Sequence, residues 1–195
     1  MRSKAGTALV LVGGLLLLAA LLLIGANRQE SEQAGKQSEV LLTQMQTEPA
    51  APTTEPAALA MPTTQVDGRD SVGVLAIPKM EIELPILAEL DNPGLKIAPC
   101  RQYGSTRTGD LVIAAHNYRR HFGRLNTLEP GDEVTVTEVG GDVYRYQVDH
   151  VETLEAGDVD KVVNSDHDLV LYTCTYSRVS RVTAFCDLVE GPATE

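Results

Sequence analysis

Hydrophobic positions fall into three regimes along the chain. From Ala5 to Ala26 they run together: 22 consecutive residues carry no charge and 17 of them are apolar. No polar face interrupts the run, which argues against an amphipathic soluble helix. As a helix it would extend roughly 33 Å at ~1.5 Å per residue, enough for a hydrocarbon core of about 30 Å. Arg2 and Lys4 precede it and favour a cytoplasmic amino terminus with an exported remainder. A cleavable signal peptide is the competing reading. The run is longer than its usual apolar region, and Ile24-Gly25-Ala26 has a bulky residue where a small one is wanted. The expectation is an uncleaved anchor over residues 1–26, in contact with the lipid bilayer through residues 5–26.

The second regime, residues 27–70, has no sustained period. Gln, Glu, Ser, Thr, Pro and Ala dominate it, and Thr47-Glu48-Pro49-Ala50-Ala51 recurs as Thr54-Glu55-Pro56-Ala57-Ala58. Pro49, Pro52, Pro56 and Pro62 resist both helix and sheet. Such a segment buries too little apolar surface to offset the entropy of ordering it. It is expected to be a flexible, semi-extended stem, with at most a short helix over residues 39–46.

The third regime, residues 71–191, reads in period two and in β-branched runs, with residues 192–195 as a tail. Residues 72–77 and 82–87 are expected strands separated by Pro78-Lys79-Met80, and Pro85 points to an edge or a bulge. Residues 110–115 form an apolar run suited to a buried strand. Residues 133–139 and 142–151 flank Gly140-Gly141, a hairpin signal. Residues 168–175 and 181–189 make a final strand pair. Short helical turns are expected at 92–96, 122–128 and 156–163. The expected fold is therefore mainly β, a closed or nearly closed barrel with short helices.

Composition narrows the function. The chain has 195 residues and a formal charge of −11, most of it in the β region. An acidic body with 4% aromatic residues and no Trp disfavours nucleic-acid binding, which draws on clustered Lys and Arg and on stacking platforms. Three cysteines are too few for a disulfide scaffold, and no Cys-x-x-Cys pair supports thiol–disulfide exchange. His116 and His121 are five apart, unlike the i, i+4 metal pair, so neither a metal nor another cofactor is expected.

Cys174 ends the run Leu169-Val170-Leu171-Tyr172-Thr173-Cys174, so a strand delivers its thiol to one edge of the sheet. A thiol is a good nucleophile only as thiolate and needs a cationic or proton-accepting neighbour. His116 sits just past the apolar strand 110–115. Arg181 follows Cys174 after a short connection, and antiparallel pairing of 171–174 with 181–185 would project it near the thiol. A Cys–His pair performs acyl transfer in two steps, while a guanidinium can hydrogen-bond the carbonyl oxygen as charge develops. Each residue alone has a bland explanation: a small packed Cys, a loop His, a solvated Arg. Arg119, Arg120 and Arg124 form a basic cluster that could steer an anionic precursor or simply be solvated. Cys100 and Cys186 could pair after export or pack as small side chains.

The combination is more specific than its parts. Leu171-Tyr172-Thr173-Cys174, Arg181 and the upstream His116-Asn117 together resemble the sortase family of cysteine transpeptidases, whose motif is Thr-Leu-x-Thr-Cys followed by an Arg. Val170 stands where Thr is usual, and Ala115 where Gly often precedes the His. Ile77-Pro78-Lys79, Leu84-Pro85-Ile86, Phe122-x-x-Leu125 and Pro130-Gly131-Asp132 are similar to family landmarks in the family's order, over residues 71–189. The resemblance implies an eight-stranded barrel with catalytic His116, Cys174 and Arg181, and with Asn117, Thr173 and Tyr176 as substrate-binding candidates. It also implies surface proteins or pilins with a Leu-Pro-x-Thr-Gly-like sorting signal as substrates, and an amine of a cell-wall precursor or pilin as acceptor. The expected setting is the cell membrane of a Gram-positive organism, with the catalytic domain extracytoplasmic. Two other readings fit the same residues: a thiol peptidase using water, and a noncatalytic tethered β module that scaffolds surface proteins.

Overall fold

The computed structural model describes residues 4–45, 60–155, 157–177 and 179–192. Its elements are α1 (Lys4–Met45), β1 (Thr64–Val66), β2 (Arg69–Ile77), β3 (Ile82–Leu87), α2 (Asn92–Leu95), β4 (Cys100–Tyr103), β5 (Leu111–Ala114), β6 (Glu133–Glu138), β7 (Val143–Glu155), α3 (Val159–Val163), β8 (Leu169–Cys174) and β9 (Ser180–Glu190).

The strands form one sheet in the order β1-β2-β3-β4-β5-β8-β9-β7-β6, and β6 pairs back onto β2. Eight strands thus close into a barrel, and β1 is a short extra strand on β2, outside the ring. Closure demands close backbone approach: a Cβ on Gly73 would stand 2.3 Å from the Thr137 carbonyl oxygen. Two parallel pairings, β3 with β4 and β5 with β8, interrupt the antiparallel order. β3 meets β4 only at Leu87↔Cys100, so the amide that Pro85 lacks is not missed on that side. Inward side chains of the strands, among them Leu75, Ile113, Val136, Tyr146 and Leu171, fill the barrel with Phe122 and Leu125 from the 116–128 loop.

The amino-terminal segment departs from the expected stem. The helix does not stop at Ala26 but continues unbroken to Met45. Its first part, from Leu9 to Ile24, exposes a continuous sleeve of large apolar side chains, and this helix is long and apolar enough to cross a membrane. Its second part lies on the barrel. Ser31, Ala34, Gly35, Ser38 and Leu41 are buried, spaced three and four apart on one face. Leu41 packs with Val66, Leu87, Ala98 and Cys100, and Ser38 Oγ donates to the Ile97 carbonyl. Arg120 holds the outer side of this helix through Glu32 and Glu39. The flexible-stem expectation fails for 27–45, where Leu41 seats in an apolar cluster and the rest of the docked face is small residues, too small to stand out as an apolar period. At its other end the stem gives way to β1 and the start of β2. The repeats at 47–51 and 54–58 lie outside the described residues.

The other short helices fall close to expectation. Asp91 caps α2 by accepting from the Gly94 amide, a 3-10 turn covers Leu125–Thr127, and α3 starts at Val159.

Candidate active site

Two parallel neighbours build one rim of the barrel. β5 and β8 run side by side with Ala114 opposite Tyr172, and the Ala115 amide donates to the Tyr172 carbonyl at 3.2 Å. Thr173 Oγ1 then donates to the Ala115 carbonyl at 2.8 Å. The residue before His116 is thereby tied to the residue before Cys174.

Beyond Ala115 the chain leaves the sheet in a compact loop. Phe122 and Leu125 anchor it in the core, the Phe122 amide donates to the His116 carbonyl at 3.2 Å, and the Gly123 amide donates to the Tyr118 carbonyl at 2.8 Å. A Cβ on Gly123 would come within 2.7 Å of the Asn117 and Tyr118 carbonyl oxygens, so the turn closes only around glycine. Tyr118 packs its ring on His116, centroids 4.9 Å apart.

Cys174 is exposed at the end of β8. Its direct partner in the antiparallel β8–β9 pair is Arg181, and directly opposed residues project from the same face of a sheet. The guanidinium carbon of Arg181 lies 5.5 Å from the centroid of the Tyr172 ring. The connection between the two strands is short and pinned: the Thr175 amide donates to the Ser180 carbonyl at 2.9 Å, and Thr175 Oγ1 lies 3.0 Å from Ser180 Oγ.

A cleft of about 340 Å³ opens at this rim, lined by His116, Asn117, Tyr118, Cys174, Thr175 and Tyr176 together with Asn27 and Glu30 of α1. Arg181 opposes Cys174 across the β8–β9 pair, and His116, Asn117, Cys174 and Tyr176 all line this cleft. Thr173 does not: it is buried, and its hydroxyl is turned to the Ala115 carbonyl, so it stands behind the cleft. A β-strand sends successive side chains to opposite faces, and exposing Cys174 turns Thr173 inward.

Asn27, Glu30 and Tyr118 escaped the sequence reading. The spacing of small residues from Ser31 to Leu41 was the available signal that α1 lies against the barrel. Of the basic cluster, Arg120 is engaged with α1 and not free to steer a ligand. Cys100 and Cys186 are free and buried, in separate apolar clusters, and burial pushes each thiol up to about 12. Only Cys174, among the three cysteines, meets solvent.

Comparison with known proteins matches this architecture. A search of curated proteins returns no match. Solved structures with the same fold include Streptococcus pneumoniae sortase C, at 20% identity and TM-score 0.57 over 86% of this chain and 92% of that one. Streptococcus agalactiae sortase C1 matches at 24% identity and TM-score 0.55 over 65% and 71%. Clostridium perfringens sortase D5 matches at 20% identity and TM-score 0.54 over 62% and 80%. The family model described as Sortase domain matches residues 75–189. With more than half of its length matched by that model, this chain belongs to the sortase family of cysteine transpeptidases.

Proposed function

We propose that the protein is a membrane-anchored, extracytoplasmic cysteine transpeptidase. It cleaves a Leu-Pro-x-Thr-Gly-like sorting signal on surface proteins or pilins and passes the acyl group to an amine of a cell-wall precursor or a pilin lysine. The observation that carries this reading is the direct register of Cys174 with Arg181, with His116 brought to the same rim by the bond from Thr173 to Ala115.

The steps follow from those groups. His116 takes the thiol proton, and the Cys174 thiolate attacks the Thr carbonyl of the signal. Arg181 donates to the carbonyl oxygen as it becomes negative. Collapse breaks the C–N bond, His116 returns the proton to the leaving amine, and a thioester remains on Cys174. An incoming amine attacks the thioester and gives its proton to His116, and the C–S bond breaks to release the thiolate. Asn117 and Tyr176 border the cleft where the peptide would lie.

The anchor supports a further part of the reading. α1 carries Asn27 and Glu30 to the same cleft as Cys174, and Glu30 is six residues past Ile24, roughly 9 Å along the helix axis. The reacting thiol thus works close to the bilayer surface, where a substrate or acceptor held in the same membrane would present itself.

Incubating full-length protein in detergent with a sorting-signal peptide, with and without an amine, tests the chemistry. The expected products are an amide when amine is present and a thioester trapped on Cys174 by mass spectrometry. Cys174→Ala should abolish both, and Arg181→Lys should lower turnover at least about 100-fold, because an ammonium cannot reproduce the planar fork. Release of only the free acid at every amine concentration would make the enzyme a peptidase. Unchanged display of surface proteins in cells carrying Cys174→Ala would leave a noncatalytic scaffold.

A further inference from the structure

The foot of the barrel carries a second group of chemically competent side chains. β7 alternates buried and exposed positions up to Val148, and then its register slips. Val148 opposes Cys186 and His150 opposes Phe185, so Asp149 has no partner across the pair. This bulge puts two consecutive side chains, Asp149 and His150, on the outer face. His167, in the approach to β8, and Asp187, on β9, join them there. Asp149 Oδ2 lies 2.7 Å from His150 Nδ1, and Asp187 Oδ1 lies 2.7 Å from His167 Nδ1.

Phe185 fixes both imidazoles. His150 stacks on it with centroids 4.6 Å apart and planes 14° from parallel. His167 leans on it at 5.2 Å, and the two imidazoles meet edge to face at 5.5 Å. Ligating atoms of Asp149, His150 and His167 all lie within 4.8 Å of one another. The Asp187 carboxylate on Nδ1 of His167 sets the tautomer that leaves the other ring nitrogen as a lone-pair donor, the usual support of a metal-bound imidazole.

We propose that Asp149, His150 and His167 bind a divalent transition-metal ion, zinc above all, with Asp187 orienting His167 from behind. Two imidazoles and a carboxylate suit zinc, whereas calcium and magnesium take oxygen ligands. The site is separate from the cleft. His167 precedes Cys174 by seven residues of largely extended chain, roughly 23 Å, and lies at the other end of β8. The ion joins the bulge of β7 to the lead-in of β8, the strand that carries the thiol. Sequence spacing conceals the group, since its two histidines are 17 positions apart and the bulge is invisible in period two.

Zinc chloride titrated into full-length Cys174→Ala protein in detergent tests the site without interference from the thiol. The expected result is one saturable zinc per chain by calorimetry and native mass spectrometry, and a rise in Tm of roughly 5 °C at saturation. Calcium chloride should give no rise. His167→Gln and Asp149→Asn should each remove the zinc-dependent rise, while adding His116→Gln to the Cys174→Ala background should keep it. Zinc binding that survives the two site substitutions, or no zinc-dependent change in the parent, overturns the proposal. If one of the two variants is too unstable to titrate, the other decides.

Discussion

Thr173 has a sharper role than a place in the substrate groove. Its buried hydroxyl spans from β8 to the Ala115 carbonyl, a side-chain bond between the residues that precede His116 and Cys174. Replacing it by Val keeps the shape but leaves a buried carbonyl without this donor, at a cost of about 1–3 kcal/mol. Thr173→Val should therefore lower Tm by several degrees and reduce kcat, while KM for the sorting peptide changes less. Thr173→Ser should restore both. A Thr173→Val enzyme with unchanged kcat would show that the bond does not position His116. The Val170 and Ala115 departures from the family pattern are accommodated without rearrangement: Val170 is buried in an apolar cluster with Val112 and Phe185, and Ala115 has no positive φ among the described residues.

At the scale of elements, the docked half of α1 depends on His121. The ring is fully buried beneath the helix, with Nε2 3.3 Å from Ser38 Oγ. Burial first, then the nearby His116, pulls its pKa down to about 4. The folded value lies below the unfolded one of about 6.5, so the unfolded chain binds the extra proton. The stability associated with the neutral ring is complete above about pH 6.5 and is lost progressively as pH falls to about 4. Thermal melts of the full-length protein should show Tm falling through that window, and His121→Gln should flatten this part of the profile. An unchanged slope in His121→Gln would assign the acid sensitivity to other groups. The same loop explains why Phe122 and Leu125 recur as landmarks: they hold the loop that leaves β5 with His116 at its start.

For the whole molecule, the proposed anchor and a continuous α1 together would make the distance between bilayer and cleft a fixed quantity. Seven helix-forming residues inserted between Ala26 and Asn27 would add two turns, about 10 Å, while nearly preserving the face that meets the barrel. In cells, processing of a membrane-embedded substrate should fall at least about ten-fold. Cleavage of a soluble peptide in detergent should be unchanged. Equal processing of the embedded substrate would mean that height above the membrane is not selected.

Local chemistry made several features legible in the sequence alone. Twenty-two uncharged residues can only be satisfied as a helix in lipid or a buried core. Period two with β-branched runs points to a sheet, and antiparallel pairing of the strand ending in Cys174 with the one carrying Arg181 is the register that β8 and β9 adopt. Four features awaited the tertiary structure: the run of α1 to Met45, the inward turn of Thr173, the approach of Asn27 and Glu30 to the cleft, and the bulge that gathers Asp149 and His150 beside His167. Each depends on which surfaces meet when the barrel closes. Small residues become a docking face only against a partner of complementary shape, and a register slip appears only when two strands are aligned.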